Sequence, residues 1–255
     1  MTEQTFAFVL GCPRSGTTAL TQLLNRHPAV AIGTERFSGP ARRRELTPAH
    51  YAPERFGRFE EGDTHHMGER QDRVQTAVLN RIATAPVIGD KLPQLIGKVD
   101  QLRAFPEPKL IFVLRNPFSV AESHDRRAAR KRQTWGTDRD HRVAVRKFNG
   151  AIRQIAQLEK SRRFKHLVVP YEQLFSVGDG VSKIFEFLGL DPGKLSDTSD
   201  LFATSKARQR AGRGVSTSSQ FVALRANFEG YKTAMSHALA RLGLDDAYPD
   251  LRSTQ

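Results

Sequence analysis

A chain of 255 residues, 38% hydrophobic and 26% charged, is long enough for one sizeable α/β domain and short for two. Forty Lys and Arg against 27 Asp and Glu give a net charge of +13, which directs the chain toward anions: a phosphorylated cofactor, a polyanionic substrate, nucleic acid or an acidic membrane. One cysteine, Cys12, rules out an intrachain disulfide framework and a cysteine-rich zinc site. No apolar run reaches the length of a membrane span, and the polar start Met1 to Thr5 carries no secretory leader, so a cytoplasmic location is expected.

Short apolar runs predict buried strands at residues 6–10, 29–32, 86–88, 110–114 and 167–169. A helix is expected over 16–26, ended by Pro28. Residues 38–66 hold three prolines and three glycines among many charges, and read as an irregular excursion; 38–84 is expected to form an acceptor-binding or lid insertion. Helices follow over 69–84, 117–131, 138–160 and 181–188, a basic loop over 205–219, and a closing helix over 221–242. From Arg115 to Lys165 there are 15 Lys and Arg against 5 Asp and Glu; most of these read as solvated helix faces. Strands interleaved with helices predict a mostly parallel central sheet covered on both faces, in one domain spanning 1–255.

The sharpest feature is Gly11-Cys12-Pro13-Arg14-Ser15-Gly16-Thr17-Thr18, set between the first strand and the first helix. Glycines let the backbone wrap an anion, and the free N–H groups and dipole of a helix start favour its charge. Gly11 and Gly16 have the Walker A spacing and Thr18 takes its Ser/Thr place, but Thr17 stands where a nucleotide hydrolase needs lysine. The pattern predicts a P-loop-type domain that does not hydrolyse ATP or GTP. Gly11 to Thr18 resembles the 5′-phosphosulfate loop of the sulfotransferases that use 3′-phosphoadenosine 5′-phosphosulfate (PAPS). The resemblance implies that Pro13, Arg14, Ser15, Gly16, Thr17 and Thr18 hold the donor, which leaves as 3′,5′-adenosine diphosphate.

PAPS carries a second anion, the ribose 3′-phosphate. Lys109 to Ser123 places Arg115 at the carboxyl end of a buried strand, where ligands of open α/β sheets bind, with Pro117 opening a helix and Ser123 eight residues after Arg115. This resembles the family's 3′-phosphate motif and implies that Arg115 and Ser123 bind that group. Gly89-Asp90-Lys91-Leu92-Pro93 and Val169-Pro170-Tyr171-Glu172-Gln173-Leu174 resemble two further family segments. Tyr171 either contacts the nucleotide or holds the strand as a core tyrosine. Lys206, Arg208, Arg210 and Arg213 sit where relatives place a late basic loop.

Sulfuryl transfer needs positioned reactants, charge stabilisation and a base for the acceptor proton. Arg14 and Thr17 are expected to stabilise the transferring group. The resemblance implies that Lys91 faces the bridging oxygen and that Glu35, at the place of a family glutamate, is the base; the alternative for Glu35 is an ion pair with Arg36 or another surface arginine. The histidine of the cytosolic steroid and phenol branch is absent after Lys91, which favours the bacterial and glycan-type branch. His27 reads as structural, and His65 and His66 lack regular ligand spacing, so no metal is expected. The resemblance implies an acceptor hydroxyl or amine on a small molecule, a glycan or another polar or anionic compound, and no nucleic acid is expected as partner. Two rival functions remain, a P-loop small-molecule kinase and a non-catalytic basic nucleic-acid-binding protein.

Overall fold

The computed structural model describes residues 4–64, 69–130, 138–178, 180–210, 219–244 and 247. In chain order the elements are β1 (Thr5–Gly11), α1 (Thr17–Leu24), β2 (Val30–Thr34), α2 (Ser38–Arg43), α3 (Pro53–Gly57), α4 (Glu69–Ile82), β3 (Val87–Lys91), β4 (Lys109–Leu114), α5 (Pro117–Ala129), α6 (His141–Ser161), β5 (Lys165–Pro170), α7 (Tyr171–Val177), α8 (Val181–Leu188), α9 (Ser199–Arg210), α10 (Ser219–Arg225) and α11 (Phe228–Leu242). The five strands form one all-parallel sheet in the order β2-β3-β1-β4-β5. Here β1 is central: the chain builds β2 and β3 on one side of it, then crosses to build β4 and β5 on the other.

Strand periodicity divides the core in two. Phe6, Phe8 and Leu10 of β1 join Ile88, Leu110 and Phe112 on one face, with Phe148 and Ile152 of α6 and Met235 of α11. Ala7 and Val9 join Val30, Ile32, Ile111, Val113 and Val169 on the other, with Leu20 and Leu24 of α1 and Phe185 of α8. Each such buried side chain contributes roughly 1.5–3 kcal/mol, so a one-residue slip of any strand would be costly on both faces at once. At the β3–β1 crossing Gly89 has φ 156, and a Cβ there would stand 1.8 Å from the Ala7 carbonyl oxygen, so only glycine lets the two strands pair.

Three expectations are corrected. Residues 38–57, read as irregular, carry the short helices α2 and α3, and Tyr51 and Phe56 are buried edge-to-face on Phe37. The expected basic loop at 205–219 begins as the end of α9, which carries Lys206, Arg208 and Arg210; Arg213 lies outside the described residues, as do His65 and His66. The closing helix is two, α10 and α11, because Asn227 caps the start of α11 by accepting from the Gly230 N–H at 2.9 Å.

Candidate active site

All five strands run the same way, so the residues that follow them collect at one edge. Arg14 lies in the loop after β1, Glu35 follows β2, Lys91 ends β3, Arg115 follows β4 and Tyr171 follows β5. Register sets Thr34 beside Lys91, Lys91 beside Val9, and Leu114 beside Pro170, so the sheet itself spaces these groups.

The loop 11–18 wraps tightly. Ser15 N–H donates to the Cys12 carbonyl at 3.0 Å, and Gly16, at φ 102, hands the chain to α1. A Cβ on Gly16 would lie 2.2 Å from the Tyr171 ring, so that ring seals the underside of the loop. Arg14 occupies a left-handed φ of 74 and Glu35 one of 56. Such backbone costs on the order of 1 kcal/mol or more for a residue other than glycine and is retained where a site requires it. Behind the loop, the buried His124 of α5 sets Nε2 3.2 Å from the Pro13 carbonyl and Nδ1 3.2 Å from that of Arg139. Cys12 is buried with Sγ 3.8 Å from the Ala144 carbonyl, and burial pushes its thiol up to about 12, which rules out a nucleophilic thiolate.

The two anion features of the sequence meet in space. Arg14 Nε donates to Ser123 Oγ at 3.1 Å, and Arg115 Nη1 donates to the Arg14 carbonyl at 3.1 Å. The Arg115 guanidinium lies 4.6 Å over the Tyr171 ring, with Glu172 Oε1 3.9 Å from its Nε. Glu172 accepts from the Asn116 N–H at 3.1 Å, tying β5 to the start of α5. Ser15 Oγ and Arg115 Nε are buried and have no hydrogen-bond partner among the described residues. Two orphaned donors beside a glycine-built loop fit a doubly anionic nucleotide.

In front of the loop, Lys91 Nζ donates to Glu35 Oε1, and Gln94 Nε2 donates to Glu35 Oε2 at 2.7 Å. Arg36 takes no part in this pair. Its side chain is fully buried, with Nη1 2.7 Å from Asp63 Oδ2, which removes the alternative of a Glu35–Arg36 ion pair. Glu35 and Lys91 open with Pro13, Arg14, Thr17 and Thr18 onto a cleft of ≈ 1040 Å³. Gln94 and the Arg36–Asp63 pair were missed in the sequence, where no motif or spacing marks them. His27 is structural as expected: Nδ1 accepts from the Ala29 N–H at 3.1 Å and Nε2 faces the Asp191 carbonyl at 2.9 Å. No group of side chains among the described residues is arranged to hold a metal, and no described helix is long and apolar enough to cross a membrane.

The sequence matches the model of the sulfotransferase family over residues 7–192. The chain belongs to the sulfotransferase family. The matched range contains every residue of the site above. The nodulation protein NoeE of Sinorhizobium fredii is 30% identical over 139 residues, 51% of this chain, and the match spans 31% of NoeE. Among solved structures, the sulfotransferase domain from the curacin biosynthetic pathway superposes with a TM-score of 0.49 at 18% identity, covering 79% of this chain and 77% of that one. STF9 of Mycobacterium avium gives 0.44 at 16%, covering 94% and 77%. Mouse SULT7A1 complexed with PAP gives 0.41 at 15%, covering 98% and 89%.

Asp90, next to Lys91, accepts from the Phe37 N–H at 3.0 Å through Oδ2, while Oδ1 is buried with no hydrogen-bond partner among the described residues. Burial pushes its carboxyl up from 3.8 to about 7. A raised acid favours the fold most when protonated, so its contribution is complete below about pH 4 and lost as pH rises through about 7. Asp90→Asn, which stays neutral, is expected to lose roughly 3 kcal/mol less stability than wild type between about pH 5 and pH 8. Chemical denaturation at both pH values checks this; parallel losses would show that Asp90 ionises in the fold as it does in the open chain.

Proposed function

We propose that this sulfotransferase moves a sulfuryl group from PAPS to a hydroxyl or amine of a small-molecule or carbohydrate acceptor by in-line displacement, in the cytoplasm. Bound PAPS supplies the activated sulfuryl group. The loop 13–18 holds its 5′ end through backbone N–H groups, Ser15, Thr17, Thr18 and the Arg14 cation, and Arg115 and Ser123 hold the 3′-phosphate beside Tyr171. Lys91 supplies positive charge where the leaving oxygen gains negative charge, and Glu35 takes the acceptor proton. The segment 38–84 contributes Arg42 to the acceptor side of the cleft. The P-loop kinase reading is disfavoured by Thr17 in place of the Walker lysine.

One observation carries the proposal: Arg14 contacts Ser123 and Arg115 together, so the two anion-binding motifs, about a hundred residues apart in sequence, form one locus. Arg115→Ala is expected to weaken binding of 3′,5′-adenosine diphosphate by roughly ten- to a hundredfold, since it removes a charge-assisted hydrogen bond from a partly buried phosphate site. Isothermal titration measures it. Wild-type affinity in the variant would take Arg115 out of the nucleotide site.

A further inference from the structure

The cleft in front of Glu35 holds more positive charge than a donor nucleotide uses. Arg42 of α2, Arg127 of α5, Arg139, and Arg146 and Lys147 of α6 line it together with Arg14 and Lys91. Its carboxylates are Glu35, already bonded to Lys91, and Asp138. The side chains of Arg42, Arg127, Arg146 and Lys147 have no hydrogen bond or ion pair among the described residues. Three of these four stand on α2 and α6, which supply no residue to the loop 11–18 or to the Arg115–Ser123 pair. The cations are close enough to repel: partial desolvation lowers the Lys147 ammonium first, Cys12 acts in the opposite direction, and Arg139, Arg42 and Arg146 each lower it further. Like charges gathered without counter-charge raise the local potential and concentrate anions there.

We infer that the acceptor supplies the balancing charge: this sulfotransferase takes an acceptor that already carries an acidic group, a carboxylate, sulfate or phosphate, beside the hydroxyl or amine it sulfates. The inference rests on the proposed function for the identity of the transferred group. The remaining lining agrees with a polar, acidic acceptor. Its apolar members are Pro13, Pro93, Ile96, Val143 and Gly150, with no aromatic side chain among the described lining residues. Among the described lining residues a flat phenolic acceptor finds no ring to stack on, and neither do the bases of a nucleic acid. The volume of ≈ 1040 Å³ leaves room for more than one sugar-sized unit. The reaction that installs the acidic group must therefore precede this one, and the product leaves with further negative charge.

The test uses tetragalacturonate as the acidic probe, its methyl ester as the neutral one and a short single-stranded DNA as the competing class. Each is titrated into the full chain, with and without saturating 3′,5′-adenosine diphosphate. Tetragalacturonate is expected to bind at least roughly tenfold more tightly than the ester, more weakly as salt rises, and roughly tenfold more weakly to the double variant Arg146→Ser/Lys147→Ser. Both positions are exposed on α6, and matched thermal melts show that the variant folds. Its affinity for 3′,5′-adenosine diphosphate is expected to be unchanged. Equal binding of acid and ester, binding of neither, unchanged binding in the variant, or tighter binding of DNA each overturns the inference. Failure of the nucleotide to bind instead overturns the donor assignment, and the titrations without nucleotide still decide the acidic site.

Discussion

Glu35→Gln is expected to lower kcat by roughly two to four orders of magnitude while the affinity for 3′,5′-adenosine diphosphate stays within about twofold of wild type. The substitution keeps size and one hydrogen-bond acceptor, removes the charge and the basicity, and turns the other oxygen into an NH2 donor that Gln94 can meet by turning its own amide. Glu35 is well placed to act as a base. Its side chain is 14% exposed, it opens on the cleft, and Lys91 and Gln94 each hold one of its oxygens. The two bonds limit the directions the carboxylate can face. The same geometry admits another outcome. If Glu35 served only to hold Lys91, glutamine would still accept from the ammonium, and the loss in kcat would be small. Initial rates with labelled donor across pH separate the two. A base gives a rate that rises with pH in wild type and loses that limb in the variant. A variant of wild-type kcat would end the assignment of Glu35 as base.

The strands were legible because a parallel sheet buried on both faces writes itself as uninterrupted apolar runs, and all five were placed within one to three residues at their ends. The first loop and Arg115 were legible for a related reason. A parallel sheet puts its ligand-binding residues directly after its strands, so position in sequence translates into position in space. The segment after β2 was opaque. Its prolines and glycines look like loop, yet Pro53 opens α3, and a Cβ on Gly39 would stand 1.6 Å from the Gly62 carbonyl oxygen, so that glycine marks a close packing contact. Aromatic residues at irregular spacing gave no period to read, although Phe37, Tyr51 and Phe56 pack edge-to-face below the cleft. Gln94 and the pairing of Asp63 with Arg36 escaped notice because polar residues that work through tertiary contacts 59 and 27 residues away carry no local signature.

The charged core under Glu35 is where the largest loss of stability is expected. Arg36 is fully buried; Nη1 pairs with Asp63 Oδ2 at 2.7 Å, Nε donates to the Phe56 carbonyl at 2.9 Å and Nη2 to the Arg58 carbonyl at 2.8 Å. Phe37 and Phe59 lie on its guanidinium at 4.4 and 3.8 Å. Asp63 also takes two bonds from Arg55, at 2.6 and 2.9 Å, and one from the Glu60 N–H at 3.1 Å. Burial alone would raise the Asp63 carboxyl, but the bonds from Arg55 and Arg36 outweigh it and hold it at about 2. The network is therefore intact above about pH 4 and is lost only as pH falls through about 2. Asp63→Ala leaves a buried guanidinium with no carboxylate, and is expected to cost about 3–5 kcal/mol in urea unfolding at neutral pH. Exchanging both partners for apolar residues of similar volume is expected to recover much of that loss. The catalytic consequence follows from sequence adjacency. Asp63 anchors Arg36, the residue after Glu35, and the left-handed backbone of Glu35 persists only while its neighbours hold it. At temperatures where Asp63→Ala is still folded, kcat should fall while nucleotide affinity stays. A loss below about 1 kcal/mol would show that the pair is solvated in the folded protein, and a fully retained kcat would free Glu35 from its dependence on Arg36.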